Sequence, residues 1–134
     1  MTMRILVTGG SGGIGKSIID ELDCDVVSPS SKELNLTDSF AIDGVFDGLI
    51  HCAGVNFVKP YNQIDPEELS KLFQVNTFSF LNLCSHVEFN RGANIIAVGS
   101  LYATHTKEGR IQYSMSTHAL LGAVKTLALE MSNE

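Results

Sequence analysis

The chain has 134 residues, of which 44% are apolar and 18% charged, and its formal net charge is -6 at pH 7. This length and composition predict one compact globular domain spanning residues 1–134. The nine Lys and Arg residues are scattered, which argues against nucleic acid or an anionic membrane as a partner. No apolar run reaches the roughly 18 residues of a membrane span, and we expect a cytoplasmic protein.

The first half of the chain predicts strands separated by a glycine turn and a helix. Residues 4–8, RILVT, are typical of a buried strand, and residues 14–22, IGKSIIDEL, have helical spacing of their apolar positions. Further strands are predicted at residues 25–27, 47–54 and 93–100. Because each run is almost continuously apolar, the pattern favours a parallel sheet covered on both faces.

Two long segments predict helices in the second half of the chain. Residues 65–87 begin with Asp65 at a capping position and Pro66 at the first helical position. Residues 114–132 carry apolar side chains at helical period. Strands that alternate with helices predict an α/β protein with a Rossmann-like, doubly wound parallel sheet.

One connection is short for this fold class. Residues 28–36 are too few for a full crossover helix, since a parallel connection needs a dozen or more residues. We therefore expect no full helix there and a small sheet with the strand order 2-1-3-4.

The segment TGGSGGIG, residues 8–15, contains five glycines between the first strand and the first helix. Glycines at this point let backbone N–H groups approach a diphosphate, and the helix N-terminus adds partial positive charge. The segment therefore predicts a dinucleotide-binding turn.

The residues after the second strand bear on which dinucleotide is bound. NAD sites place an acid about twenty residues beyond the glycines, on the ribose hydroxyls, whereas this chain has Ser28 there. Ser30, Ser31 and Lys32 could bond a 2′-phosphate, so the sequence favours NADP(H) over NAD(H); the alternative is an ordinary solvated loop.

With these features the sequence resembles the short-chain dehydrogenase/reductase family over almost all of its length. The shared motifs, in chain order, are TGGSGGIG, LNLTD at 34–38, HCAG at 51–54, FQVN at 73–76, VGS at 98–100 and YSMS at 113–116. The interval of thirteen residues from Ser100 to Tyr113 resembles the standard reductase branch.

The resemblance implies an NAD(P)(H)-dependent oxidoreductase that moves a hydride between the nicotinamide and a carbonyl or alcohol carbon. It implies that Ser100 polarises the carbonyl, that Tyr113 is the acid/base, and that Asn76 organises a proton-relay water. The residues alone leave alternatives open: a cap or turn hydroxyl at Ser100, a packing residue at Tyr113 and a satisfied core amide at Asn76. The implied cofactor-binding residues are Thr8, Gly9, Ser11, Gly13, Ile14, Gly15, Ser28, Ser30, Asn35, Ala53 and Gly54. No metal site is expected, because the spacings of the Cys and His residues do not suit zinc.

Two departures leave an alternative open. The family has a lysine four residues after the tyrosine, which bonds the nicotinamide ribose and lowers the tyrosine pKa; here that position holds Thr117. The chain also stops at Glu134, ahead of the later strands of full-length members. A catalytically impaired or non-catalytic dinucleotide-binding module, or a fragment of a longer enzyme, is the alternative to an active reductase.

As in relatives, the helices at 65–87 and 114–132 are expected to pair with those of a second subunit in a homo-oligomer. The substrate is expected to be a small carbonyl or alcohol.

Overall fold

The computed structural model describes residues 1–38 and 40–133. Its strands are β1 (Arg4–Thr8), β2 (Asp25–Val27), β3 (Val45–His51) and β4 (Glu88–Ala97). Its α-helices are α1 (Gly13–Glu21), α2 (Pro66–Phe73), α3 (Ser79–His86) and α4 (Ile111–Glu130), and a π-helical turn, Gln74–Phe78, joins α2 to α3. No helix in these two ranges is long and apolar enough to cross a membrane.

The four strands form one parallel sheet in the order β2-β1-β3-β4, which confirms the predicted order. β1 lies at the centre, with Ile5 opposite Val26 of β2 and opposite Gly48 of β3. The short connection holds only turns between residues 28 and 36, as its length predicts. The chain therefore has the predicted α/β, Rossmann-like architecture with a small sheet.

Two strands have different bounds from those predicted. The third is Val45–His51 instead of 47–54, and beyond its end the Ala53 amide donates to the Thr8 side chain. The fourth is Glu88–Ala97 instead of 93–100, and it begins earlier because Glu88 and Phe89 already pair with β3 ahead of a register shift. The predicted helix at 65–87 is three segments, and the one predicted at 114–132 begins earlier, at Ile111.

The chain divides into two compact units. The first comprises Met1–Ala53 and Asn82–Val98, and holds the sheet and α1. The second comprises Gly54–Leu81 and Gly99–Glu134, and holds α2, the π-helical turn and α4. The buried apolar side chains of the first unit include Ile5, Leu6, Val7, Leu34, Phe46, Leu49, Leu83 and Val87.

The buried residues of the second unit are mostly polar. They include Leu72, Asn76, Thr77, Ser79, Phe80, Gln112, Ser114, Ser116, Thr117 and Leu120. Because buried polar groups need partners, the hydrogen bonds of α4 and the π-helical turn specify much of this unit.

Candidate functional site

The glycine turn after β1 is built on close backbone packing. Gly9 has φ +72°, and a Cβ there would lie 2.6 Å from the Ala53 amide nitrogen. A Cβ at Gly15 would collide with the Gly9 carbonyl group. The turn itself therefore requires glycine at both positions.

Gly12 and Gly13 have no such packing requirement. A Cβ at Gly13 would meet nothing within 4 Å, and the nearest atom to one at Gly12 would be 3.4 Å away. Gly12 caps α1 without a side-chain hydrogen bond from the described residues, and the first turn of α1 contains no acid. The open space and a first helical turn without an acidic residue suit an anionic group that approaches the backbone closely.

Two other predicted cofactor residues flank this opening. Ser11 is exposed, and the Ile14 side chain is 63% exposed at the start of α1. Both are accessible from solvent at the same end of the helix.

Thr8 has a different environment from the other predicted cofactor residues. Its side chain is buried, its Oγ1 shares a 2.8 Å hydrogen bond with His51 Nδ1, and it accepts a weaker one of 3.4 Å from the Ala53 amide. Thr8 thus joins the carboxyl ends of β1 and β3. His51, which the sequence marks only as a packed or surface histidine, is its partner.

The loop after β2 lies against the glycine turn. A Cβ at Gly10 would overlap the Ser28 hydroxyl and lie 2.6 Å from Ile19 Cδ1. Asn35 is used within its own turn, where it donates to Asp38 and accepts from Thr37. This arrangement places Ser28 at the turn and leaves Asn35 exposed nearby in the same unit.

In the second unit, Asn76 occupies the π-helical turn and is 5% exposed. Its Oδ1 accepts from the Val55 amide at 2.7 Å, and its Nδ2 donates to the Val55 carbonyl at 2.8 Å and to Ser116 Oγ at 3.3 Å. Gly54 lies beside this amide, since a Cβ there would be 3.6 Å from Asn76 Oδ1. Asn76 therefore ties the segment after Gly54 to α4.

Ser100 caps the short helical turn Leu101–Ala103. Its Oγ accepts a 3.2 Å hydrogen bond from the Tyr102 amide. Because the oxygen is the acceptor in this bond, the hydroxyl proton is still available for another acceptor.

Tyr113 lies in the first turn of α4 with its ring against that of Tyr102. The ring centroids are 5.8 Å apart and the ring planes make an angle of 72°, an edge-to-face contact. The guanidinium of Arg110 lies over the Tyr102 ring, 5.6 Å from its centroid. Tyr102 thus links the segment that follows Ser100 to Tyr113.

The Thr117 hydroxyl bonds back to its own helix. Thr117 is 5% exposed, and Oγ1 donates to the carbonyl oxygens of Tyr113 at 3.0 Å and Ser114 at 3.2 Å. A hydroxyl used in this way cannot supply the positive field of an ammonium group to a neighbouring phenol.

A polar cluster fixes the first turn of α4. Glu68 accepts from Lys59 Nζ at 2.7 Å and from Gln112 Nε2 at 3.1 Å, and Gln112 is fully buried. These hydrogen bonds, the one from Lys59 first, lower the pKa of the Glu68 carboxyl. The sequence gives no signal of this cluster, which holds the residue directly before Tyr113.

The second unit also contains an open cavity of ≈ 770 Å³. Its lining includes Tyr61, Lys107, Ser114, Met115 and His118, but neither Ser100 nor Tyr113. Among the described residues no group of three or more His, Cys, Asp or Glu side chains is arranged to hold a metal ion.

Comparison with known proteins identifies relatives over the whole chain. Residues 11–134 match a family model described as enoyl-(acyl carrier protein) reductase. A diacetyl reductase, (S)-acetoin forming, of Staphylococcus epidermidis is 25% identical over an alignment that covers 100% of this chain and 67% of that protein. The 3-oxoacyl-[acyl-carrier-protein] reductase FabG of Escherichia coli K12 is 26% identical, over 96% of this chain and 67% of its own length. The chain therefore spans about two thirds of the length of these relatives.

Solved structures share the fold. A small-chain dehydrogenase in complex with NADPH superposes with a TM-score of 0.86 at 19% identity, over 98% of this chain and 66% of its own. A 4-hydroxyisoleucine dehydrogenase complexed with NADH gives a TM-score of 0.81 at 20% identity, over 97% and 70% of the two chains.

Proposed function

Because this chain belongs to the short-chain dehydrogenase/reductase family, we propose that it is an NAD(P)(H)-dependent oxidoreductase acting on a small carbonyl or alcohol. The observation that carries the proposal is the turn at Gly12 and Gly13. No atom of the described residues requires glycine at these two positions, and within the same residues the helix N-terminus receives no side-chain capping bond.

The first unit supplies the groups that would hold the cofactor. The diphosphate would bind backbone amides of the turn, among them those of Ser11 and Gly13, while the Gly12 amide already donates to the Gly9 carbonyl. The exposed Ile14 side chain lies at the same end of α1. Ser28 and Asn35 would face the adenosine, while Thr8 would support the site through His51 and Ala53. When bound, the nicotinamide supplies the hydride that is added to the carbonyl carbon, or accepts it in the reverse direction.

The second unit supplies the groups for the oxygen of the substrate. Ser100 would donate its free hydroxyl proton to the carbonyl oxygen. Tyr113 would give that oxygen a proton during reduction and take it back during oxidation. Asn76 supports this arrangement by fixing α4 to the Val55 backbone. Because both Nδ2 hydrogens are used in these bonds, a relay water held by this side chain would bind the remaining acceptor position of Oδ1.

The form of the cofactor is a finer part of the proposal. Ser31 and Lys32 offer a hydroxyl and a positive charge to a 2′-phosphate, which supports NADP(H) as the preferred form. The third predicted residue, Ser30, is already bonded to Glu33. The relatives of similar fold include one complexed with NADPH and one with NADH.

A second candidate function is a dinucleotide-binding module without turnover. The hydrogen bonds of the Thr117 hydroxyl to its own helix favour this second function, because the side chain at this position does not supply the charge of the family's lysine. Such a protein would bind the cofactor and reduce nothing.

Binding and turnover separate the two candidates. We expect NADPH or NADH to bind with micromolar affinity, measured by the change in cofactor fluorescence, and to be consumed with at least one ketone of a panel. Tyr113→Phe should retain binding and abolish consumption. Binding without consumption by the unaltered chain would favour the binding module, and no binding of either cofactor would contradict both.

We further propose that the protein forms homo-oligomers through the helices at 65–87 and 114–132. Phe78, Leu81 and Met115 are each between 46% and 49% exposed, and Leu129 is 77% exposed. These side chains supply apolar surface that a partner subunit could cover. Light scattering at micromolar concentration should give a mass of at least twice 14.5 kDa. A monomer under these conditions would contradict this proposal.

A further inference from the structure

The loop after β2 is closed by the side chain of Glu33. The Ser30 amide donates to Glu33 Oε2 at 2.7 Å. The Ser30 carbonyl in turn accepts from the amides of Glu33 at 3.0 Å and Leu34 at 2.8 Å. Leu34 is 6% exposed, so the loop is anchored by an apolar side chain just beyond the carboxylate.

The environment of Glu33 is one that stabilises negative charge. The Ser30 backbone amide and, to a smaller extent, the Ser30 side chain lower the pKa of this carboxyl. The donors of Ser30 thus already bind one anion, which is part of the protein. Because Glu33 is exposed to solvent, its carboxylate can be displaced at modest cost.

The position of this loop relates it to the proposed cofactor turn. Ser28, two residues before Ser30, lies directly against Gly10 of the glycine turn. In α/β dinucleotide sites the residues at the end of the second strand contact the ribose that carries either a 2′-hydroxyl or a 2′-phosphate. The donors of Ser30 are therefore in the loop where that group would bind.

We propose that Glu33 is a cofactor-selectivity residue, whose carboxylate occupies the Ser30 donors and competes with the 2′-phosphate of NADP(H). This inference rests on the proposed dinucleotide function. The 2′-phosphate would have to displace Glu33 to reach the Ser30 amide, and would then lie beside a like charge. NAD(H) has only a hydroxyl at this position and leaves the Glu33 bond intact. Lys32, next in the chain, supplies the opposing charge that favours the phosphate.

Two substitutions separate the charge of Glu33 from its role in closing the loop. Glu33→Gln retains an oxygen that can accept from the Ser30 amide but carries no charge. Glu33→Ala removes both the charge and the acceptor. Glu21→Gln, an exposed acid at the end of α1, is the matched control for the change in net charge.

The measurement is the affinity of each variant for NADP⁺ and NAD⁺ by isothermal titration calorimetry. Glu33→Gln should bind NADP⁺ about tenfold more tightly, because a charge-assisted competitor has been removed, and should bind NAD⁺ within about twofold of the unaltered chain. Glu33→Ala should change the ratio in the same direction, and Glu21→Gln should leave it unchanged. Adenosine 2′,5′-bisphosphate compared with ADP should show the same contrast without the nicotinamide.

Two results would overturn the inference in distinguishable ways. If NAD⁺ binds to every variant and the ratio of NADP⁺ to NAD⁺ affinity is unchanged or lower in both Glu33 variants, Glu33 does not compete with the phosphate, while the dinucleotide proposal stands. If neither cofactor binds to the unaltered chain or to any variant, both proposals fail together.

Discussion

The edge of one tyrosine ring meets the face of another where α4 begins: Tyr102 and Tyr113 have centroids 5.8 Å apart and planes at 72°. The Arg110 guanidinium lies over the Tyr102 ring in a cation–π contact, and the Tyr102 backbone amide donates to Ser100 Oγ. One residue outside the family motifs therefore contacts both residues proposed to handle the carbonyl oxygen, Ser100 through its backbone amide and Tyr113 through its ring.

Replacing Tyr102 should show what this contact contributes. Tyr102→Ala should lower the free energy of unfolding by about 1–3 kcal/mol, since it removes a half-buried ring, its aromatic contact and its cation–π contact. Any ketone reduction should fall with it, because Tyr113 loses the surface that orients its ring. Urea denaturation followed by circular dichroism gives the first quantity, which suits a chain without tryptophan.

Tyr102→Phe is the control for that experiment, because it keeps the ring and removes only the hydroxyl. It should behave like the unaltered chain in both measurements. Equal losses of stability and activity in the Phe and Ala variants would contradict the proposed role of the ring contact.

The fold could be predicted because its signals are local. The apolar runs at 4–8 and 25–27 coincide with β1 and β2, and the length of the connection at 28–36 excluded a crossover helix. Strand ends could not be predicted in the same way. They depend on tertiary contacts such as the hydrogen bond from the Ala53 amide to Thr8, which no local pattern encodes.

The π-helical turn at Gln74–Phe78 shows a similar limit. Apolar spacing over one turn does not distinguish α from π geometry. The distinguishing feature of the π-helical turn is the pair of hydrogen bonds between Asn76 and the Val55 backbone, 21 residues away in the chain.

The candidate site was predictable to the extent that glycine and motif residues mark it. The five glycines and the positions of Ser100 and Tyr113 are visible in the sequence. Glu33, Tyr102 and Glu68 are not, because their roles come from side chains that fold back onto a loop or across to another element. Residue type alone gave no reason to select these three.

Asn76 offers a test of the bonds that hold α4 to the segment after Gly54. Asn76→Ala should lower the free energy of unfolding by about 2–4 kcal/mol, because the Val55 amide and carbonyl would lose their partners at a part-buried position. Asn62→Ala, at an exposed asparagine, should change it by less than about 0.5 kcal/mol. A loss no larger for Asn76 than for Asn62 would show that the hydrogen bonds seen here do not support the unit.

Thr117→Lys tests whether the missing charge limits turnover. We expect the rate of ketone reduction to rise about a hundredfold, within the range that positioned acid/base groups contribute. The free energy of unfolding should fall at the same time. The substitution puts a long cationic side chain in place of a buried hydroxyl whose hydrogen bonds are satisfied.

Thr117→Met is the matched control, since it adds a side chain of comparable length without charge. Turnover should rise with lysine only. If the lysine and methionine variants turn over at the same rate, the ammonium is not what the site lacks, and the binding-module candidate gains support.

The cluster of Glu68, Lys59 and Gln112 makes a prediction about pH. The pKa of Glu68 in the folded chain is lowered from 4.5, first by the hydrogen bond from Lys59 and then by that from Gln112. A group whose pKa is lower in the folded state stabilises that state above the unfolded pKa, and the contribution disappears as the pH falls through the folded pKa. Glu68→Gln should therefore be less stable than the unaltered chain at pH 7. The difference should shrink below about pH 4.5, as the unfolded chain takes up the proton.

Urea denaturation of both proteins at pH 7 and in acid measures this difference in the free energy of unfolding. Glu67→Gln, at an exposed neighbour in the first turn of α2, is the control for helix-dipole effects. A difference between Glu68→Gln and the unaltered chain that is the same at both pH values would mean that the Lys59 and Gln112 bonds do not depend on the Glu68 charge.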